Sequence, residues 1–135
     1  MTSEHFKDAE LGCPCCGVNN VKQPVLDAAE AIRAKAEERY GKVRMKITSA
    51  YRCPAHNAAI VGAVKSQHML GTALDIQLQF LNLKQWVTIA PCEWEDLARQ
   101  APGVGGFGRD DERHFIHIDT RDKTAQWCYE SYANP

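Results

Sequence analysis

The chain has 135 residues, of which 44% are hydrophobic and 24% are charged, and its formal net charge is −1. This length and composition are typical of one globular domain with its own core, so we expect a single domain over residues 1–135. The charge gives no basic surface for nucleic acid, and no apolar stretch approaches the roughly 20 residues that span a bilayer. We therefore expect a monomer with no nucleic-acid partner and no stable membrane insertion.

The N-terminus predicts where the chain is made. Its first residues, MTSEHFKDAELG, have neither the basic start nor the apolar stretch of a signal peptide. We therefore expect synthesis in the cytoplasm. A role outside the membrane would then need a separate route of release, such as a holin-type lesion.

The first half of the chain predicts one long helix followed by a strand. Residues 1–23 are rich in turn formers, so we expect them to be irregular. Between residues 25 and 40 apolar side chains recur every three or four positions, which predicts an amphipathic helix that ends at Gly41. Residues 43–48 alternate between apolar and polar side chains, as a strand with one buried face does.

The second half predicts shorter elements. We expect a short helix over residues 56–64, a strand over 72–78 and a helix over 92–100. Glycines at 103–108 indicate a turn-rich or bulged strand with close backbone packing, and residues 115–119 predict a last strand. With no β-α-β rhythm, the chain predicts an α+β fold with a small, mainly antiparallel sheet flanked by helices.

Two of the predicted strands carry a polar residue on a face where other side chains would pack. Asp75 interrupts TALDIQL, His117 interrupts FIHID, and His68 precedes Asp75 by seven residues, just before a glycine turn. A buried carboxylate or imidazole is costly unless it is paired or binds a metal. Two histidines and one aspartate would leave a fourth position open, as catalytic zinc sites do.

The same pattern has a purely structural interpretation. His117 could be a hydrogen-bonded core residue, and Asp75 could pair with Arg52 or Arg121. The residue pattern alone leaves both interpretations open.

Six cysteines in a chain of this length need a separate interpretation. Three of them crowd into GCPCCG, which matches neither a paired C-x-x-C zinc motif nor an evenly spaced disulfide framework. We interpret the six as small buried residues, of which one pair could form a disulfide. The alternative is a structural metal cluster of Cys13, Cys15 and Cys53.

Residues 49–76, SAYRCPAHNAAIVGAVKSQHMLGTALDI, resemble the core signature of peptidase family M15. This family contains zinc D-Ala-D-Ala carboxypeptidases and phage L-alanyl-D-glutamate endolysins, and the chain is most similar to its small single-domain branch. The shared pattern is an S-x-Y-R loop, an asparagine-bearing helix, S-x-H, a glycine, A-x-D and a closing H-x-D. Its residues here are Ser49, Tyr51, Arg52, Asn57, Ser66, His68, Gly71, Ala73, Asp75, His117 and Asp119.

The resemblance implies a hedgehog/D-Ala-D-Ala-peptidase-like fold and a role for each matched residue. His68, Asp75 and His117 would bind Zn²⁺. Arg52 would face the open side of the metal and bind an oxyanion or a substrate carboxylate. Ser66 would hydrogen-bond the substrate or cap the turn, and Asp119 would orient a ligand.

The general base is where the chain departs from the family. Many members have a glutamate or aspartate three residues before the last zinc histidine, where this chain has His114. We favour His114 as the base over Glu112, although strand alternation places residue 114 on the face opposite His117 unless the strand begins later or is bulged.

The implied function is a zinc metallopeptidase that cleaves stem or cross-link peptides of peptidoglycan, as a carboxypeptidase or an endopeptidase. After release from the cell it would act on the cell wall, as a phage or prophage lysin does. The alternative is a non-catalytic zinc-containing binding module with the same fold.

Overall fold

The computed structural model describes residues 5–60 and 66–128 of the chain. Within these residues it contains four α-helices, one short 3-10 helix and six strands. In chain order the elements are α1 (Asp8–Leu11), α2 (Gln23–Tyr40), β1 (Val43–Ser49), α3 (Pro54–Ala59), the 3-10 helix (Gln67–Leu70), β2 (Ala73–Asn82), β3 (Gln85–Thr88), α4 (Pro91–Gln100), β4 (Gly106–Asp110), β5 (Phe115–Asp119) and β6 (Ala125–Cys128).

The strands form one sheet in the order β1-β2-β5-β4-β6, and β3 pairs with the far end of β2. Every pairing is antiparallel except that of β4 with β6, which is parallel. The predicted α+β class with a mainly antiparallel sheet is therefore confirmed. Strand β2 lies between β1 and β5. The side chains of these three strands therefore lie on the same two faces of the sheet.

Helix α2 packs its apolar stripe against one face of this sheet. Pro24 stands in its first turn, where a missing N–H costs nothing, and Gly41 ends it with a positive φ of 80°. The sheet face below it carries aliphatic side chains from β2 and β5 that are fully buried. They are Leu74, Ile76, Leu78, Ile116 and Ile118. Burying each one stabilises the fold by about 1.5–3 kcal/mol. Among the helices within the described ranges, none is both long and apolar enough to cross a bilayer.

Most predicted elements are present, with small shifts at their ends. The long helix begins two residues before the predicted 25, the strand predicted over 43–48 extends to Ser49, and the helix predicted over 92–100 begins at Pro91. The strand over 115–119 has the predicted bounds.

Other predictions were wrong in part. Residues 1–23 contain the helix α1, which is too short to produce a periodic pattern. The helix predicted over 56–64 begins at Pro54 and ends at Ala59, while residues 61–65 lie outside the described part of the chain. Strand β2 runs to Asn82 because it pairs with β3, which the sequence did not predict.

The glycine-rich segment forms β4 and packs closely against its neighbours, as predicted. A Cβ at Gly106 would overlap the carboxylate of Asp119, and a Cβ at Gly108 would overlap the indole of Trp127. Both side chains therefore depend on glycine opposite them in the sheet. The segment is a strand rather than a loop, and its glycines leave room for residues around His117.

Candidate metal centre

Three polar residues meet on the sheet face opposite α2. Asp75 on β2 lies directly across from His117 on β5, so the two side chains emerge on the same face. His68 reaches them from the 3-10 helix, which Ser66 begins by accepting a hydrogen bond from the backbone N–H of His68 at 3.2 Å. All three side chains are buried, with exposed fractions of 0–4%.

A glycine turn fixes the approach of His68. Gly71 has a φ of 74°, and a Cβ there would overlap the carbonyl of Asn20. The carbonyl of Gly71 also accepts a hydrogen bond of 2.7 Å from the Lys22 N–H. A residue with a side chain would be strained at this position, so the glycine keeps the turn closed and His68 over the sheet.

The hydrogen bonds of the two imidazoles leave one nitrogen of each ring facing Asp75. His68 Nδ1 donates to the Ala50 carbonyl at 2.7 Å, which places Nε2 3.1 Å from Asp75 Oδ1. His117 Nε2 bonds Asp119 Oδ2 at 2.7 Å, which places Nδ1 2.9 Å from the same Asp75 oxygen. Histidines that bind metals are commonly held in this way, with the second nitrogen on a carbonyl or a carboxylate.

The titration of these groups explains why a cation would fit here. Burial lowers the pKa of His68 and thereby favours the neutral ring. In the neutral ring, the proton that bonds the Ala50 carbonyl is on Nδ1, and the lone pair of Nε2 faces a carboxylate oxygen. Burial acts against charge at Asp75 too, but the contacts of its carboxylate with the imidazoles of His68 and His117 hold the pKa of Asp75 well below its usual range. Two acceptors in contact favour a cation between them.

His117 is the exception to this neutrality. Its burial opposes the charged form, yet the hydrogen bonds to Asp119 and Asp75 outweigh burial and raise its pKa. A protonated His117 donates to a carboxylate from each nitrogen. A metal at the centre would replace the Nδ1 proton, while Nε2 would keep its bond to Asp119.

The donor atoms of His68, Asp75 and His117 all lie within 4.8 Å of one another. These three residues could therefore hold a metal ion. Two nitrogens and one carboxylate oxygen make a donor set that suits zinc with an open position. The structural interpretation is also met in part, because His117 is hydrogen-bonded to Asp119 and Asp75 lies 4.0 Å from Arg52, while Arg121 pairs with Asp119.

Arg52 lies beside the three residues and is itself buried. Its Nη2 is 4.0 Å from Asp75 Oδ2, and its Nη1 donates to Asn57 Oδ1 at 3.1 Å. Its backbone N–H also bonds the His68 carbonyl at 3.1 Å. The loop before α3 and the 3-10 helix are thereby joined, so that Arg52 and His68 are positioned together.

A second set of side chains supports His117 from behind. Asp119 is fully buried and accepts two hydrogen bonds from the Arg121 guanidinium, at 2.8 and 2.7 Å. Burial opposes ionisation of Asp119, but the bonds from His117 and Arg121 hold its pKa well below the usual range. The ring of Trp127 lies 5.0 Å from that of His117, centre to centre. These contacts fix the tautomer and the tilt of the His117 ring.

The centre opens into a cavity of about 340 Å³. Arg52 and Asp75 lie in its wall together with Pro14, Gln77 and Phe115. This volume is at the lower end of the range for small-molecule sites, and it would hold a few residues of a peptide.

The two candidate bases lie on the hairpin turn between β4 and β5. His114 and Glu112 are both exposed, and His114 has a positive φ of 60°. Asp110 fixes this turn by accepting the Arg113 N–H at 2.8 Å. Among the described residues that line the cavity are Arg113 and Phe115, which flank His114, but neither His114 nor Glu112. The assignment of the base stays a prediction.

The comparison with known families agrees with this geometry. The sequence model of the Peptidase M15 family matches residues 4–119. The chain belongs to the Peptidase M15 family. Membership implies a metallopeptidase, and the matched range contains His68, Asp75 and His117. Compared with curated proteins, the chain has no significant match.

The sequence left some parts of this M15 site unpredicted. Trp127 lies beyond the matched range, and its contact with His117 depends on the parallel pairing of β6 with β4. Arg121 was considered as a partner for Asp75, but it binds Asp119. A basic residue two positions after a buried aspartate could have suggested this pair.

The cysteines differ from the interpretation as small buried residues. Cys13 is buried and Cys53 half-buried, but Cys15, Cys16, Cys92 and Cys128 are exposed, and all six are free thiols. The prediction of burial was therefore wrong for these four. The thiols of Cys13, Cys16 and Cys53 also form a group that could hold a metal ion, with Cys16 where Cys15 had been proposed.

Proposed function

We propose that this M15 peptidase uses zinc to cleave peptide bonds in the stems or cross-links of peptidoglycan. The observation that carries the proposal is the orientation of two buried imidazoles toward one oxygen of Asp75. Each ring is held by its other nitrogen, through the Ala50 carbonyl and the Asp119 carboxylate. Such an arrangement is suited to a metal cation.

His68, Asp75 and His117 would hold the ion. When bound, zinc supplies a Lewis acid that polarises a carbonyl and acidifies water at its open position. Because the three side chains are already buried and hydrogen-bonded, little would need to move when the metal binds. Asp119 would keep His117 in the tautomer that presents Nδ1.

Arg52 would bind the negative charge of the substrate. Its guanidinium is held by Asn57 at the wall of the cavity. A fixed cation there suits either the oxygen that gains charge during attack or the terminal carboxylate of a stem peptide. The first role would raise the rate of chemistry, while the second would chiefly strengthen binding.

His114 would accept the proton of the attacking water and return it to the leaving amine, with Glu112 as the alternative. The turn that carries both residues borders the cavity through Arg113 and Phe115. Since both side chains are exposed, either could move toward a bound peptide. Substitution of each in turn separates them. Loss of turnover with unchanged zinc content in His114→Ala, but not in Glu112→Gln, would support His114.

The enzyme would act as a monomer on the cell wall. Following synthesis in the cytoplasm, it would reach its substrate through a membrane lesion, as a phage or prophage lysin does. Size-exclusion chromatography with light scattering would test the monomer, and expression with and without a holin would test the route of release.

Digestion of purified peptidoglycan, analysed by mass spectrometry of the soluble peptides, tests the activity. We expect either release of a terminal D-Ala or new stem fragments, and the masses distinguish exo from endo cleavage. His68→Ala should abolish both cleavage and the metal at this centre. His5→Ala is a matched control, because His5 is exposed and pairs with Glu30 away from the site.

Two results would contradict the proposal. Full cleavage by a His68→Ala protein without metal at this centre would exclude the metal mechanism. Zinc binding with unchanged peptide masses would instead favour a non-catalytic binding module.

A further inference from the structure

A second cluster of side chains that could hold a metal ion lies beside the histidine centre and contains none of its residues. Cys13 and Cys16 come from the loop between α1 and α2, and Cys53 comes from the loop before α3. Their sulfur atoms all lie within 4.8 Å of one another, although the two segments are about 40 positions apart in the sequence.

The distances within the cluster fit a shared metal better than a disulfide. Cys13 Sγ and Cys53 Sγ are 3.6 Å apart. Two thiolates at about 2.3 Å from one tetrahedral zinc are separated by about 3.8 Å, whereas bonded sulfurs are about 2.0 Å apart. The three sulfurs need only small movements to enclose an ion.

Backbone N–H groups already point at these sulfurs. Cys13 Sγ accepts a hydrogen bond of 3.4 Å from the Cys53 N–H, and Cys53 Sγ accepts one of 3.4 Å from the His56 N–H. The loop is closed by a 2.7 Å bond from the Gly17 N–H to the Cys13 carbonyl, at a φ of 75° for Gly17. N–H donors to sulfur stabilise the negative charge that metal-bound thiolates carry.

A fourth thiol stands on the same loop. Cys15 is exposed and lies in the sequence between Cys13 and Cys16. With Cys15 added to the three gathered thiols, the set would match the closed coordination of structural zinc, which leaves no position for substrate.

We propose that Cys13, Cys16 and Cys53 bind a second zinc ion, with Cys15 of the same loop as the fourth ligand, in a structural site that joins the N-terminal loop to the loop carrying Arg52. This site is independent of the proposed peptidase activity. Its ion would differ from the first in ligand chemistry, since it has sulfur donors alone. A purely thiolate site is soft and closed, so its function is to hold two segments together.

The position of the cluster gives this site a consequence for the cavity. Pro14 stands between two of the cysteines and lines the same cavity wall as Arg52. Cys53 directly follows Arg52 and begins α3 by accepting the His56 N–H. A metal here would hold together two loops that line this cavity and that are already joined by the 3.4 Å bond from the Cys53 N–H to Cys13 Sγ.

Metal content and cobalt spectroscopy test the proposal. Protein purified under reducing conditions should hold about two zinc ions per chain, and Cys13→Ser and His117→Ala about one each. Cys92→Ser is the matched control, because this exposed thiol lies on α4 and should leave both ions in place. In the His117→Ala protein, Co²⁺ should give a thiolate-to-metal charge-transfer band, which nitrogen and oxygen ligands do not produce.

The cobalt measurement keeps the proposal testable even if the cysteine variants do not fold. Absence of the charge-transfer band in His117→Ala would overturn it. A zinc content near one that Cys13→Ser leaves unchanged would do the same. A Cys13–Cys53 disulfide in reduced, metal-supplemented protein, or iron with inorganic sulfide in place of zinc, would also overturn the assignment.

Discussion

Replacing Asp119 by asparagine tests whether the support behind His117 controls the metal centre. The change keeps the shape of the side chain but removes its charge. Asp119 Oδ2 lies 2.7 Å from His117 Nε2, and both carboxylate oxygens accept bonds from Arg121. With a neutral amide beside it, the His117 imidazole becomes a weaker ligand. The Arg121 guanidinium also loses the negative charge that it pairs with.

The expected loss follows from the role of such partners in metal sites. Removing a carboxylate that orients a ligating histidine weakens metal binding by about 10- to 100-fold. This range corresponds to about 1.4–2.7 kcal/mol of binding free energy. We expect Asp119→Asn to fall within it, because Asp119 is fully buried and its bond to the ring is short.

Competition with a chromophoric chelator measures the zinc dissociation constant. The titration is made in a Cys13→Ser background, so that the histidine centre alone is measured. Asp96→Asn is the matched control, because Asp96 also accepts two bonds from one arginine, Arg39, at 3.0 and 2.7 Å. That pair lies on the surface and touches no histidine among the described contacts. If Asp119→Asn binds zinc as tightly as the control, the inferred role of Asp119 is wrong.

Three further predictions concern packing, Arg52 and acid stability. Gly108→Ala should lower the free energy of unfolding in urea by about 1–3 kcal/mol, because the new Cβ would overlap the Trp127 indole. Little of that loss should remain in a Trp127→Ala background. Arg52→Lys keeps the positive charge but loses the planar pair of guanidinium donors, so kcat/KM for stem peptides should fall at least about 10-fold while zinc content is unchanged. A kcat/KM equal to that of the unchanged protein would argue against Arg52 in the site. In chelator-treated protein, Asp75 and Asp119 have pKa values below the unfolded value of about 3.9, so their stabilisation is complete above about pH 4 and is lost as the pH falls further. Urea unfolding from pH 5 to 2.5 should show this slope, and Asp119→Asn should flatten it.

The parts that could be predicted from the sequence are those where a local pattern decides the structure. Strand β5 has alternating side chains and a histidine on a buried face, so both its bounds and the position of His117 followed from the pattern. In the structure, the register of β2 with β5 places Asp75 directly across from His117. The identity of the three candidate ligands needed the family motif as well.

The parts that could not be predicted depend on contacts distant in sequence or on unusual turns. The β2–β3 hairpin turns at Leu83 and Lys84, which both have positive φ, where glycine or asparagine would be the expected signal. Strand β6 joins the sheet through parallel pairing with β4, which no local pattern indicates. The approach of Cys16 to Cys53 also joins segments that are distant in sequence, and it was not foreseen.

The rigid setting of the histidine centre has a consequence for metal exchange. Ala50 and Asp119 hold both rings in place through hydrogen bonds that do not depend on an ion. The centre is thus preorganised, and very little of the free energy of metal binding would be used to order the chain. We therefore expect the peptidase metal to be exchangeable in a folded protein. The sheet should keep its hydrogen-exchange protection after chelation, in contrast to domains that unfold when their zinc is removed.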